Sequence, residues 1–376
     1  MKVQTRRIVS IHKAPVCMHS RANTPFHRQQ GVALISAMLV VTLVATLASV
    51  ALWQQWRHVE VESAERQRIQ SSWLLSGAFD WTRLILREDA LAGVAGASLT
   101  SGSGQVSATG GIDHLGEPWA LPLKEAKLST FLAQDQQLRE GDPEVFLSGQ
   151  VTDAQSRINL SQWVEPNDAK GQARLSPTMQ LRMSRLFGVL GLPGTELETL
   201  SQAWLVATQA ARSRSASVGS ESPSNASALL PLQTGQLQWL GVRAETVAAL
   251  APFVTILPES TPVNLNTASA EVIYASVAGL DLSSAQKFVQ ARGQSHFDNL
   301  TDTAKALGVK SLDAGQFSVS SRYFEVWGRL RLEDRTQEET ALIFRDGGNT
   351  RLVWRQKIAG ILPPANQESL LQSKKL

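Results

Sequence analysis

Histidine, cysteine and the carboxylates are the residues from which this chain could build a catalytic or metal centre, and their spacing builds neither. The six histidines are His12, His19, His27, His58, His114 and His296. Three precede residue 31. The other three sit in separate segments, with no H-E-x-x-H and no second His at i+4 to share a metal. The sequence has no G-x-S-x-G, no P-loop and no G-x-G-x-x-G, and the run from Ser101 to Gly104 opens no helix that could cradle a phosphate. The one cysteine, Cys17, lies in the first 31 residues, so the rest of the chain must hold together by its core rather than by disulfides. What remains as a chemical feature is one peptide bond. Gly31–Val32 joins a basic leader to 22 uncharged residues.

The elements on either side say what that bond connects. Residues 32–53, VALISAMLVVTLVATLASVALW, form a helix of ~33 Å at ~1.5 Å per residue, enough to cross a bilayer core. A secretory signal has a shorter apolar stretch and a small-residue cut site after it. Here Trp53 runs straight into QQWRHVEVESAERQRIQSSWLLSGAFDWTRLILRED, with no proline and no glycine before Gly77. Apolar residues at Trp56, Val59, Trp73, Leu74, Ala78, Trp81, Leu84 and Ile85, with charges between, predict an amphipathic continuation. One helix is expected from Val32 to about Glu88. Lys2, Arg6, Arg7, Lys13, Arg21 and Arg28 precede Gly31 without an acidic residue, which puts the N-terminus on the cytoplasmic side and the remainder outside. The chain has 36 basic and 33 acidic residues; beyond Gly31, 30 and 33 remain, a formal −3. The basic pI belongs to the leader and does not mark a nucleic-acid surface on the folded part.

Beyond the helix, LAGVAGASLTSGSGQVSATGGIDHLGEPW reads as a loop or a join. Val145 to Val151 and Arg157 to Leu160 read as strands. Pro177 at a first turn, with Met179, Leu181, Leu186, Phe187 and Leu190, predicts a helix over 176–190; another follows over 195–211. RSRSASVGSESPSNAS reads as an exposed loop. Short helices are expected near 235–240, 244–250, 267–278, 283–292 and 301–307, with Asn266 or Thr267 capping the third. From Phe317 the pattern alternates, through Phe324, Val326, Gly328, Leu330 and Leu332, then 341–344 and 351–354 around an RDGGNT hairpin turn.

A basic leader, then Gly, then an uncharged helix resembles the processing site of type IV pilin-like proteins. The resemblance implies cleavage by a prepilin peptidase between Gly31 and Val32, and N-methylation of Val32. Most members of that superfamily carry Glu five residues in; Ser36 stands there. A buried membrane carboxylate needs a partner, and the family takes it to be the amine of the neighbouring subunit. A chain without it resembles the minor pseudopilin K family of type II secretion. LAPFVTILPESTPVNLNTASAEVIYAS (250–276), SRINLSQW (156–163) and FSVSSRYFEVWGRLRLED (317–334) resemble that family's segments, so the likeness spans roughly 27–355.

The resemblance implies an α+β fold: a long N-terminal transmembrane and amphipathic helix packed on a pilin-like antiparallel sheet, with a large α-helical domain inserted between strands. The expected organisation is a leader over 1–31 that is removed, the membrane part of the helix over 32–53, its amphipathic half over 54–90, strands and loops over 91–162, the insert over 163–315 with a Ser-rich loop at 212–228, closing strands over 316–358 and a tail over 359–376. A start at Met18 in place of Met1 gives a shorter leader. The implied role is structural, without covalent chemistry: a subunit at the filament tip, single-pass in the inner membrane with its C-terminal domain in the periplasm. Its implied partners are minor pseudopilins I and J, prepilin peptidase, the inner-membrane secretion platform and lipid. Trp56, Val59, Trp73 and Trp81 are the expected partner-binding residues. The family's calcium ligands follow a tryptophan that corresponds to Trp204; LVATQAARSRSASVG follows here, with no carboxylate before Glu221, so no metal and no cofactor is expected.

The alternative is a membrane-anchored DNA-binding protein of an uptake system, because residues 263–302 also resemble a helix-hairpin-helix module. There the hairpin is Gly-hydrophobic-Gly, whose amides hold a phosphate. This chain has Gly279, Leu280 and Asp281, with Lys287, Arg292 and Lys305 scattered, so packing rather than nucleic-acid binding is expected.

Overall fold

The computed structural model describes residues 32–100, 111–128, 144–165, 173–216, 229–332 and 335–358, with side chains described outside 93–100 and 213–216. The leader with Gly31, residues 217–228 of the Ser-rich segment and the tail 359–376 lie outside the described residues. The chain divides into two units, residues 1–66 and 67–376.

In the first unit, helix α1 (Val32–Thr100) begins at Val32. The hydroxyls of Ser36, Thr42, Thr46 and Ser49 donate to the carbonyls of Ala33, Leu39, Leu43 and Ala45. Each polar side chain is thus satisfied within the helix, as a membrane-spanning segment requires. The helix has the length and composition of one membrane span, and its apolar side chains are exposed.

In the second unit, α1 continues twelve residues past the expected Glu88, through the part of 91–119 read as a loop. Its buried face is Leu75, Phe79, Leu86 and Ala90, whereas Trp73, Trp81 and Leu84 are exposed. The face is therefore offset from the one the periodicity suggested. Leu75, Phe79 and Leu86 lie against a five-stranded antiparallel sheet in the order β1 (Leu123–Lys127), β2 (Val145–Asp153), β7 (Tyr323–Leu332), β8 (Arg335–Asp346), β9 (Asn349–Ile358). Strand period two puts Phe324, Val326, Gly328, Leu330 and Leu332 on the helix side. A Cβ at Gly328 would meet Leu75 Cδ2 at 3.4 Å and Phe79 Cζ at 3.6 Å, ordinary contact distances, so the helix side chains lie directly against β7 here. The β8–β9 turn uses Gly347 at φ +54, as the Gly-Gly-Asn content predicted.

The chain leaves the sheet after Asp153 and returns at Tyr323. Residues between them form the helical insert, so 154–162 and 316–322 belong to it rather than to the sheet. The insert contains β3 (Ile158–Asn159), α2 (Pro177–Val189), α3 (Gly194–Ala216), α4 (Ala244–Leu250), β4 (Val254–Thr255), β5 (Val263–Asn264), α5 (Ala270–Ser276), α6 (Leu282–Gln294), α7 (Leu300–Leu307) and β6 (Phe317–Ser318). β3 pairs with β4 and β5 with β6, both parallel. Residues 212–216, expected in the Ser-rich loop, are the last turn of α3. A single core fills the insert, with Trp163, Met183, Leu186, Leu200, Trp204 and Ile273 fully or almost fully buried. The α+β architecture is the one expected: a long apolar helix, an antiparallel sheet and helices inserted between its strands.

Candidate functional site

Two features stand out: a buried polar junction and an exposed aromatic helix face. The junction forms where the insert leaves and rejoins the sheet. Asp153, the last residue of β2, accepts from the amide of Gln155 at 2.7 Å and so starts the turn that exits the sheet. Its other oxygen accepts from Ser321 Oγ at 2.6 Å, Thr267 Oγ1 at 2.5 Å and Asn264 Nδ2 at 3.1 Å. Asn264 Nδ2 also donates to Asp113 O at 3.1 Å and to Ser321 Oγ at 2.9 Å, while its Oδ1 accepts from Asn266 N. Asn266 in turn brackets Phe297, donating to its carbonyl and accepting from its amide. The helix cap read at Asn266 or Thr267 is instead Ser269, whose hydroxyl accepts from Val272 N. The N-x-N-T run is a staple between sheet and insert, and this role was hidden because its partners are distant in sequence.

Arg345, 2% exposed, closes the junction. It donates to Asp89 Oδ2 of α1 at 2.8 Å, to Asp113 Oδ1 at 2.5 Å and to Ser321 O at 3.0 Å. Asp113 Oδ2 accepts from Ser321 N at 2.7 Å. Glu117 accepts from Trp119 Nε1 and His114 N. His114 stacks on His296 of the insert with ring centroids 3.9 Å apart. Burial pushes the Asp113 carboxyl up to about 8 against the pull of Arg345, and pushes Glu117 up to about 7 with the help of Asp89. Burial also raises Asp89 and Asp153, and it lowers His114 together with the facing His296.

The sign of the pH dependence follows. A carboxyl whose folded pKa is raised keeps a proton that the unfolded chain gives up, so stability falls as pH rises from about 4 towards about 8. A lowered histidine acts oppositely, and its contribution is lost as pH falls through about 6.5. The thermal midpoint is expected to be higher at about pH 6 than at about pH 8.5, and Asp113→Asn should flatten that slope. A midpoint that rises between these two values would contradict the assignment.

The carboxylate oxygens of Asp89, Asp113 and Glu117 lie within 4.8 Å of one another, the one such group among the described residues. The Arg345 guanidinium already bridges two of them, so a divalent cation would have to share the site with a fixed positive charge. At the place that corresponds to the family's calcium ligands, the described residues that directly follow Trp204 offer no carboxylate. Trp204 is buried against Trp163, and Arg212 donates to the carbonyls of Val164 and Glu165. Carbonyl oxygens that could face a cation face a guanidinium, and calcium needs several anionic oxygens besides.

The expected partner-binding residues are all exposed. In the first unit Trp56 is 64% and Val59 59% exposed; in the second, Trp73 is 74% and Trp81 64% exposed. Among the described residues, none belongs to a core cluster. Val32 is the first residue of α1, and Gly31 lies outside the described residues. At the hairpin between α5 and α6, Leu280 is buried and Asp281 caps α6 by accepting from Ser284 N at 2.6 Å. Asp281 thus places a carboxylate at the hairpin where a phosphate would approach, and nothing in the geometry favours the DNA-binding alternative.

An apolar spanning helix, an antiparallel sheet packed on its continuation and a helical insert define a membrane-anchored pilin-like protein. Two family models of type II secretion system protein K match, over residues 156–259 and 263–320, which together cover the insert almost end to end. Type II secretion system protein K of Pseudomonas aeruginosa is 28% identical over 89% of this chain and 95% of its own length. The protein of that name from Klebsiella pneumoniae is 24% identical over 82% of this chain and 92% of its own length. In fold, the chain resembles one chain of the GspK–GspI–GspJ complex of the enterotoxigenic Escherichia coli type 2 secretion system, with TM-score 0.52, 17% identity, and coverage of 79% of this chain and 99% of that one. The chain is thus similar to type II secretion protein K over most of its length, and these likenesses support the role of a minor pseudopilin, a structural component of protein export.

Proposed function

We propose that this chain is the tip subunit that starts the pseudopilus, assembled with minor pseudopilins I and J from a single inner-membrane span, with residues 67–376 in the periplasm. The observation that carries this reading is the kinship in fold with a chain of the GspK–GspI–GspJ complex, together with tryptophans that the chain's own core leaves exposed. Size supports the tip position. The insert between Asp153 and Tyr323 has an expected radius of gyration of ~15 Å, too wide to stack beneath a following subunit but unobstructed at an end. The role requires no metal and no cofactor. Its further partners are prepilin peptidase, the inner-membrane platform and lipid.

The purified full chain in detergent is expected to form a one-to-one-to-one complex with the two partner minor pseudopilins and no open-ended polymer. Trp73→Ser and Trp81→Ser should each weaken that complex tenfold or more, because buried aromatic anchors at interfaces are worth about 2 kcal/mol or more. Light scattering measures both. Unchanged affinity in both variants removes the helix face from the interface, and self-polymerisation of the parent removes the tip assignment.

Processing gives a separate test. Cleavage between Gly31 and Val32 frees the amine of Val32, which is then N-methylated. Glycine has no side chain to obstruct a peptidase working at the membrane face, so Gly31→Val is expected to leave the leader attached. Intact-mass measurement of the membrane-extracted protein reads the result, and a mature start other than Val32 overturns it.

A further inference from the structure

A cleft of about 360 Å³ opens on the insert between α2, the end of α5 and the segment that leads into β6. Its lining is mainly apolar: Leu181, Val277, Ala278, Val309, Leu312 and Phe317. Two arginines one helical turn apart on α2, Arg182 and Arg185, also line it. Their surroundings differ from those of the other buried cation, Arg345, which has two carboxylates. Arg185 donates to the carbonyls of Val277 and Leu280, each at 2.5 Å, and lies over the Tyr274 ring. Arg182 is 2% exposed, donates through Nη2 to Gln316 Oε1 at 2.6 Å and lies over the Phe317 ring. Among the described residues neither arginine makes an ion pair.

Two polar atoms of cleft residues are left over. Arg182 Nε and Ser276 Oγ are buried and have no hydrogen-bond partner. An unpaired buried donor costs about 1–3 kcal/mol, more when it is charged, so such groups call for a partner. The nearby carboxylate is Asp313, whose oxygens are engaged by Gly315 N and Gln316 Nε2. It acts on Arg182 only at longer range, and burial holds the guanidinium down at about 10, still fully charged at neutral pH. Two cations offset by one anion leave one net positive charge in a cleft whose walls are apolar.

We propose that this cleft binds a carboxylate carried on a short apolar body, its charge drawn to the unpaired guanidinium of Arg182 with Ser276 beside it and its apolar part to the Leu181, Val309, Leu312 and Phe317 wall. The charge count selects a monoanion. A carboxylate supplies the counter-charge that Arg182 lacks, and an arginine–carboxylate contact is among the stronger hydrogen bonds available. The volume lies within the range of small-ligand sites. An acyl chain and a peptide C-terminus share this chemistry. The site is independent of the tip assignment, because it uses no residue of α1.

Equilibrium dialysis of the full chain in detergent against labelled hexanoate tests it, with protein-free detergent as the blank. Hexanoate is expected to bind with Kd on the order of 0.1–1 mM. Hexan-1-ol and inorganic phosphate should each bind at least tenfold more weakly. Arg182→Met should weaken hexanoate at least tenfold and Ser276→Ala at least threefold, while Lys287→Met, on the exposed side of α6, leaves it unchanged. N-acetylleucine in place of hexanoate reads the source: tighter binding points to a peptide C-terminus, weaker binding to an acyl chain. If Arg182→Met loses its helical circular dichroism, Ser276→Ala decides alone. Equal affinity for the acid and the alcohol, equal affinity for phosphate, no binding below about 10 mM, or full affinity in Ser276→Ala overturns the proposal.

Discussion

At about pH 9, above the raised pKa of Asp113, Arg345→Met is expected to lower the unfolding free energy by about 3–5 kcal/mol, the range found when one partner of a buried charge pair is removed. Methionine approximates the arginine stem, so the loss isolates the guanidinium. That group is the one cation bonded to both Asp89 of α1 and Asp113 of the loop, and it also holds Ser321 O at the point where the insert returns to the sheet. Without it Asp113, fully buried, keeps the amide of Ser321 but loses its counter-charge. Urea unfolding followed by circular dichroism measures the change. Asp113→Asn added to Arg345→Met should recover part of it, because the amide no longer needs a cation. A loss under about 1 kcal/mol, as for an exposed pair, would show that the junction is not the structural hub described above.

Asn264→Asp is the second large effect, and it depends on pH. The two side chains are nearly isosteric, so packing is preserved. The substitution replaces an NH2 that donates to Asp153 Oδ2, Asp113 O and Ser321 Oγ by an oxygen that can only accept when ionised. It also places a third carboxylate beside Asp153 and Asp113, both already raised by burial. At about pH 8 the loss is expected to reach about 3–5 kcal/mol. The new carboxyl has its pKa raised in the fold, so its penalty grows with pH above about 4 and shrinks as pH falls. At about pH 5 a substantial part of the stability should return, and chemical unfolding at the two pH values makes the comparison. A pH-independent loss would mean that the asparagine is held by shape rather than by its donors.

Both residues were visible in the sequence without their meaning. Asn264 belongs to the N-x-N-T-A run, which sequence reading took for the start of a helix. Helix α5 does begin close by, but Ser269 caps it. Arg345 sat in what read as the approach to a hairpin turn, and the turn is there. Their partners Asp89, Asp113, Asp153 and Ser321 lie far away in the chain and in segments of different apparent type. Hydrogen-bond geometry between such groups leaves no periodic trace, whereas strand and helix periods do.

What the sequence determined by itself is what depends on neighbours along the chain. Twenty-two uncharged residues after a basic leader make a spanning helix, because backbone groups in lipid must be satisfied locally. Alternation from Phe324 to Leu332 makes a strand with one buried face, and Gly-Gly-Asn makes its turn. The order of helix, strands, helices and strands gives the α+β class. The tertiary structure decided which side of α1 is buried. Leu75, Phe79 and Leu86 won over the tryptophans because the apolar face of the sheet, Phe324, Val326, Leu330 and Leu332, meets that side of the helix, and no helical periodicity contains that information. Tertiary structure also decided that residues 91–100 are helical, that β1 completes the sheet edge, and that buried charges are matched at the junction but unmatched at Arg182. Charge and shape matching between distant segments is a property of their approach in space, and only the folded chain brings those segments together.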